Sequence, residues 1–200
     1  DILNYLWIQL DQNVRAKNSH GQLTTTNKIN NKMSFGSIKR MHDQMNFDGG
    51  FNLEMVTDLY GVKLPYKINE TMMRIDLQKP LKKGQSFSFK IKYSYNINDR
   101  IKIGGRSGYE YFKEEENAIY TIAQFFPRMA VYNEVEGWQN KQFLGRGEFT
   151  LPFGDYKVSI TVPADHIVAA TGELKNPLSV LSKNQIKRLE KAKKNYTDPV

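Results

Sequence analysis

The sequence predicts a mainly β chain: an antiparallel β-sandwich or saddle of sheets with one C-terminal amphipathic helix. Three observations carry this. Apolar and polar residues alternate with a period of two over several segments, which is the pattern of a half-buried strand. The segments are short and punctuated by Gly, Pro, Asn and Asp. Only one stretch combines a helix-start signal with helical spacing.

The strongest alternation runs from Ser86 to Ile97. Phe87, Phe89, Ile91, Tyr93, Tyr95 and Ile97 fall on one face, and Ser86, Ser88, Lys90, Lys92, Ser94 and Asn96 on the other. A strand of this length spans about 40 Å and is expected to anchor the fold. Leu6, Ile8 and Leu10 share a face near the start; Phe51, Leu53 and Met55 do so after the Asp48-Gly49-Gly50 turn. Met73, Ile75 and Leu77 alternate with Arg74 and Asp76, and the turn at Lys79 to Gly84 predicts a hairpin with the long strand. Ala118 to Phe126 is nearly continuous in apolar residues and reads as a strand covered on both faces. Glu148 to Leu151, Tyr156 to Val162 and Ile167 to Ala170 complete the expected strands. Asn13 to Met45, rich in Asn, Thr and Lys, reads as a long loop with at most a short helix at 38–45.

The predicted helix occupies 182–196. Ser182 and Gln185 have capping-box spacing, in which each side chain satisfies the other's free backbone N–H. Leu181 and Ile186 suit a hydrophobic staple, and Ile186, Leu189, Ala192 and Tyr196 form a thin apolar stripe. The expected organisation is a β-rich domain over 1–181 and a basic helix and tail over 182–200.

With 40% hydrophobic and 25% charged residues the chain has ordinary globular composition. No apolar run approaches the ~20 residues of a transmembrane helix. The opening Asp1-Ile2-Leu3 is read as a processed or trimmed product. The absence of cysteine removes disulfides, thiolate metal sites and thiol nucleophiles. Net charge is +8, but residues 183–200 hold six basic side chains against two acidic ones. With Tyr196 alone beside them, they fit a solvated helix face rather than a nucleic-acid surface, which interleaves bases' stacking partners with positive charge.

A catalytic centre is not evident. His20, His42 and His166 lack the H-E-x-x-H pattern that sets two ligands and a base on one helix face. No G-x-S-x-G elbow is present. Gly104-Gly105-Arg106-Ser107-Gly108 lacks the Lys-[Ser/Thr] ending of a phosphate loop and reads as a flexible loop. Glu110, Glu114, Glu115, Glu116, Glu134, Glu136 and Glu148 offer carboxylates without selecting a pair. Tyr109 and Tyr111 suit either a cleft wall or ordinary packing, and Trp7 and Trp138 suit either a carbohydrate face or a core.

The segment Ala118-Ile119-Tyr120-Thr121-Ile122-Ala123-Gln124-Phe125-Phe126-Pro127-Arg128, the run Leu144-Gly145-Arg146-Gly147-Glu148-Phe149, the strand-like Tyr156-Lys157-Val158-Ser159-Ile160-Thr161-Val162-Pro163 and the closing Val168-Ala169-Ala170-Thr171-Gly172 occur in an order and spacing that resemble the N-terminal domain of the aminopeptidase N family of zinc metallopeptidases, in particular a bacterial branch. Leu3 to Leu10 is similar to that branch as well. The resemblance implies a saddle of sheets resting on a thermolysin-like catalytic domain, with further strands after 168–171. Zinc would be held in that second domain by H-E-x-x-H and a later Glu; none is expected in this chain. It also implies that one loop of the present chain enters the substrate cleft, with Gln124 matching the family's Gln and Phe126 standing where the family has a Glu that holds the substrate's α-amine. Arg128, Tyr109 and Tyr111 are expected at the cleft rim. The expected partners are the catalytic domain and the amino terminus of a peptide substrate, with no nucleic acid. A periplasmic, secreted or cell-envelope setting is expected ahead of a cytoplasmic one. A free-standing β-sandwich that binds carbohydrate or peptide is the alternative.

Overall fold

The computed structural model describes residues 2–17, 19–23, 32–145 and 151–199. These fall into two compact units, Asp1–Gly154 and Asp155–Val200, divided ahead of the 181/182 boundary expected from the sequence.

The first unit is mainly β, and its sheets are antiparallel. It contains β1 (Leu3–Gln9), a 3-10 turn (Asp11–Arg15), α1 (His20–Leu23), α2 (Phe35–Asn46), β2 (Asn52–Asp58), β3 (Tyr66–Asn69), β4 (Met72–Leu81) and β5 (Phe89–Ser94). Next come α3 (Arg100–Ile103), β6 (Gly108–Phe112), β7 (Asn117–Thr121), β8 (Arg128–Met129), β9 (Tyr132–Asn133) and β10 (Gly137–Trp138). One sheet has the order β3-β4-β1-β8; β2 pairs with β5, β6 with β7, and β9 with β10.

The core lies where the four-stranded sheet meets the β2–β5 pair. Ile8, Leu10, Val56, Leu64, Met73 and Ile75 are buried there, and Phe51, Leu53, Phe87, Phe89, Ile91 and Met129 pack against them. The alternation read in β1 and β4 is therefore the core face. Sequence alternation fails at β2, where the pairing advances from Leu53↔Tyr93 to Met55↔Lys92. This leaves one extra residue on β2, as in a β-bulge, and reverses the phase of the rest of the strand. Met55, expected inward, is exposed, and Val56 is buried in its place.

The long strand is shorter than expected and has a different partner. Regular pairing covers Phe89–Ser94, with β2 rather than β4; β4 lies between β1 and β3 instead. The face itself is as read, since Phe87, Phe89 and Ile91 reach the core and Tyr93 and Tyr95 meet Phe51 edge-on at ring separations of 5.1 and 5.7 Å. Partial burial of Tyr93 and Tyr95 raises both phenol pKa values.

The run Ala118 to Phe126 is not a doubly covered strand. β7 stops at Thr121 and pairs only with β6, leaving Ile119, Tyr120 and Ile122 exposed. The polar region before residue 46 holds more helix than expected: α2 runs from Phe35 to Asn46, capped by the Ser34 hydroxyl, which accepts from the Ser37 N–H at 3.2 Å.

In the second unit, α4 (Pro177–Val180) precedes α5 (Lys183–Ala192). The capping box is present in both directions: the Ser182 N–H donates to Gln185 Oε1 at 2.8 Å and the Gln185 N–H to Ser182 Oγ at 3.3 Å. α5 ends at Ala192, so Tyr196, expected in its last turn, lies beyond it and is exposed. Residues 156–162 and 167–170 form no ladder among the described residues; of the strand expected at 148–151, residues 148–150 lie outside the described residues. No described helix is long and apolar enough to cross a membrane.

Candidate functional site: the loop after β7

The chain leaves β7 at Thr121 and enters β8 at Arg128, and the turn between them carries Gln124 and Phe126. Two buried side chains from distant parts of the sequence hold its first half. Gln12 Nε2 donates to the carbonyls of both Ala123 (3.0 Å) and Gln124 (3.1 Å). Ser107 Oγ donates to the Ala123 carbonyl and accepts from the Ala123 N–H, each at 3.1 Å. Gln12 and Ser107 are 5% and 7% exposed, so these bonds form out of water, where a lost partner leaves an unsatisfied polar group.

Gln124 has φ +53°, in the left-handed region. A non-glycine residue there carries a cost of about 1–2 kcal/mol. Among the described residues Glu70 and Glu116 also have positive φ. Those two sit in the turns of the β3–β4 and β6–β7 hairpins, where positive φ is a geometric requirement. Gln124 lies in no hairpin turn. Phe125 and Phe126 come directly after it, half-buried and edge-to-face at 5.0 Å.

Arg128 closes the loop. Its guanidinium faces Asp11 rather than a cleft rim, and it pairs with a carboxylate that is wholly buried. As the first residue of β8 it also lies opposite Gln9 of β1. Its charge is thus balanced by the buried Asp11 carboxylate.

Behind the loop, the 3-10 turn Asp11–Arg15 connects separate segments. Asp11 takes Arg128 and Gln12 takes 123–124, while Asn13 Oδ1 accepts from the Phe51 N–H at 2.8 Å and Asn13 Nδ2 donates to the Glu70 carbonyl at 2.7 Å. Arg15 Nη1 donates to the Gly104 carbonyl at 3.2 Å, which also accepts from Asn98 Nδ2 at 3.0 Å. Burial lowers the Arg15 pKa. A side chain at Gly105, where φ is +99°, would drive its Cβ into the Arg15 guanidinium. Within the glycine-rich stretch 104–108, Gly105 thus leaves room for the Arg15 guanidinium.

Tyr109 and Tyr111 lie on β6, and residues two apart share a face of a strand. Their register partners on β7 are Tyr120 and Ala118. Tyr109 and Tyr120 stand 6.1 Å apart, and Tyr111 is exposed. Tyr109 also borders an open groove of about 360 Å³ with His42, Asp43, Asn46, Asp99 and Lys102. Its carboxylates are already paired, Asp43 with Lys39 at 3.0 Å and Asp99 with Lys102 at 2.9 Å.

No protein family, curated protein or solved structure matches the chain.

Among the described residues no three His, Asp or Glu side chains come together as a ligand set. The sequence singled out Gln124 and its neighbours but missed Asp11, Gln12, Arg15 and Ser107. Polar residues directly after a strand read as an exposed loop; only their long-range partners reveal that they are buried.

Proposed function

We propose that this chain is a non-catalytic, β-rich module of a zinc aminopeptidase-like hydrolase. In this reading it packs on a separate catalytic domain and offers the 124–126 loop to the amino terminus of a peptide. The observation that carries the reading is the strained conformation of Gln124, held outside any hairpin by the buried Gln12 and Ser107. Backbone strain sustained by surrounding structure is a feature of binding and catalytic loops. The Gln124 side-chain carbonyl is an acceptor suited to an ammonium. Phe126, where a carboxylate would pair with that ammonium, adds only the weaker attraction of a ring face for a cation, so amine recognition here is neutral and modest. Zinc in the partner domain would activate water for peptide-bond hydrolysis. The sandwich or saddle closure, the amphipathic role of α5 and a periplasmic, secreted or cell-envelope setting belong to the same proposal.

The test is hydrolysis of aminoacyl-anilides by this chain and by the longer polypeptide that the reading requires. Activity confined to the longer polypeptide supports the proposal; equal activity in both contradicts it.

One observation favours a second reading, a free-standing carbohydrate- or peptide-binding module. Tyr109, Tyr111 and Tyr120 share one face of the β6–β7 hairpin, and stacking on such a face is a common way to hold sugar rings. Saturable glycan binding by the chain, abolished by Tyr111→Ala and Tyr120→Ala, would select it.

A further inference from the structure

We infer that Gln12 is the positioning residue that sets the conformation of Gln124 and, through it, the amine selectivity proposed above. Gln12 reaches the loop across 112 positions of sequence. Its amide nitrogen carries two N–H groups and donates to two successive carbonyls. Carbonyls of adjacent residues in an extended strand point in opposite directions. For one amide nitrogen to donate to both, the backbone between them must turn, and the residue that turns is Gln124, at φ +53°. The double hydrogen bond and the turned, left-handed conformation of Gln124 therefore occur together, and the two hydrogen bonds help to hold that conformation. Ser107, which fixes the N–H and carbonyl of Ala123, supplies the stationary side of the turn. With the carbonyls of 123 and 124 drawn inward, the acceptor left for a ligand at this residue is the Gln124 side chain, and Gln12 determines where it projects from.

The functional half of this inference rests on the amine-binding reading; the conformational half does not, and the experiment separates them. In the chain itself, Gln12→Leu keeps the buried volume and removes both donors, while Gln124→Gly removes the strain of positive φ. A double-mutant cycle on the folding equilibrium is expected to be non-additive by about threefold or more, with Gln12→Leu less damaging when residue 124 is glycine. In Gln12→Leu the backbone ¹³C shifts of Gln124 are expected to leave the left-handed range, a signature that general loss of stability in a still-folded protein does not produce. If Gln12→Leu fails to fold, Ser107→Ala replaces it in the same cycle. Additive energies together with unchanged Gln124 shifts would overturn the inference. A titration with Leu-Gly-Gly and N-acetyl-Leu-Gly-Gly completes the experiment. Preference for the free amine in the wild type, lost in Gln12→Leu, supports the functional half. Coupling without any such preference in the wild type overturns the amine reading and leaves the conformational role of Gln12 in place.

Discussion

Asp11 and Arg128, 117 positions apart, form an ion pair whose carboxylate is wholly buried and whose guanidinium side chain is 18% exposed. The pair joins the 3-10 turn after β1 to the start of β8, and so fixes one end of the loop that carries Gln124. Removing one partner strands the other charge away from water. Arg128→Met or Asp11→Asn is expected to cost about 3–5 kcal/mol, read from urea denaturation. The double variant Asp11→Leu with Arg128→Met is expected to recover much of that loss, because it leaves no unpaired charge.

The bulge in β2 makes a prediction that simple alternation reverses. Val56 is 3% exposed and Met55 39%. Val56→Ala is expected to destabilise by about 1–3 kcal/mol through lost burial and the cavity it leaves. Met55→Ala should stay within about 0.5 kcal/mol, as for other surface changes. Thermal or chemical unfolding of the two variants compares them directly.

Asp99 caps α3, accepting from the Ile101 and Lys102 N–H groups at 3.0 and 3.1 Å. Burial pushes its carboxyl up, but the side-chain and backbone hydrogen bonds from Lys102, its charge and the Ile101 N–H together hold it below the usual aspartate range. The folded pKa is thus lower than the unfolded one. The cap's contribution is fully present above the unfolded aspartate pKa of about 3.9 and is lost as pH falls through the folded value. The amide resonances of Ile101 and Lys102 should titrate with a midpoint below that of free aspartate, and Asp99→Asn should remove the transition.

In the second unit, Ser182→Ala removes the acceptor for the Gln185 N–H. The loss expected for a capping serine is about 0.5–2 kcal/mol. It would appear as reduced protection of the amides in the first turn of α5, with the β resonances of the first unit unchanged.

The strands most legible in the sequence were those whose partners repeat the same alternation, β1 and β4, and the capping box at Ser182 and Gln185 was fully readable because it is a local motif. Pairing was less legible. A tight turn after β4 suggested a hairpin, but strand choice is decided by which faces close the core, and Phe89 and Ile91 do so from β5 paired with β2. The bulge at Glu54 left no mark in composition. Ala118 to Phe126 misled because apolar content alone does not distinguish an interior strand from an exposed hairpin arm and the turn that follows it. At the candidate site, Gln124 and Phe126 were identified through resemblance. Gln12 and Ser107 were invisible, because their importance lies in contacts made across 112 and 16 positions.

The most direct measurement is a titration of the chain with a short peptide and its N-acetylated counterpart, monitoring the amide signals of residues 123–128 (Pro127 apart). Saturable displacement centred on Gln124 with the free-amine peptide, and none with the acetylated one, is the predicted result. Equal displacement by both peptides, or none by either, would contradict a loop built to receive a peptide's amino terminus.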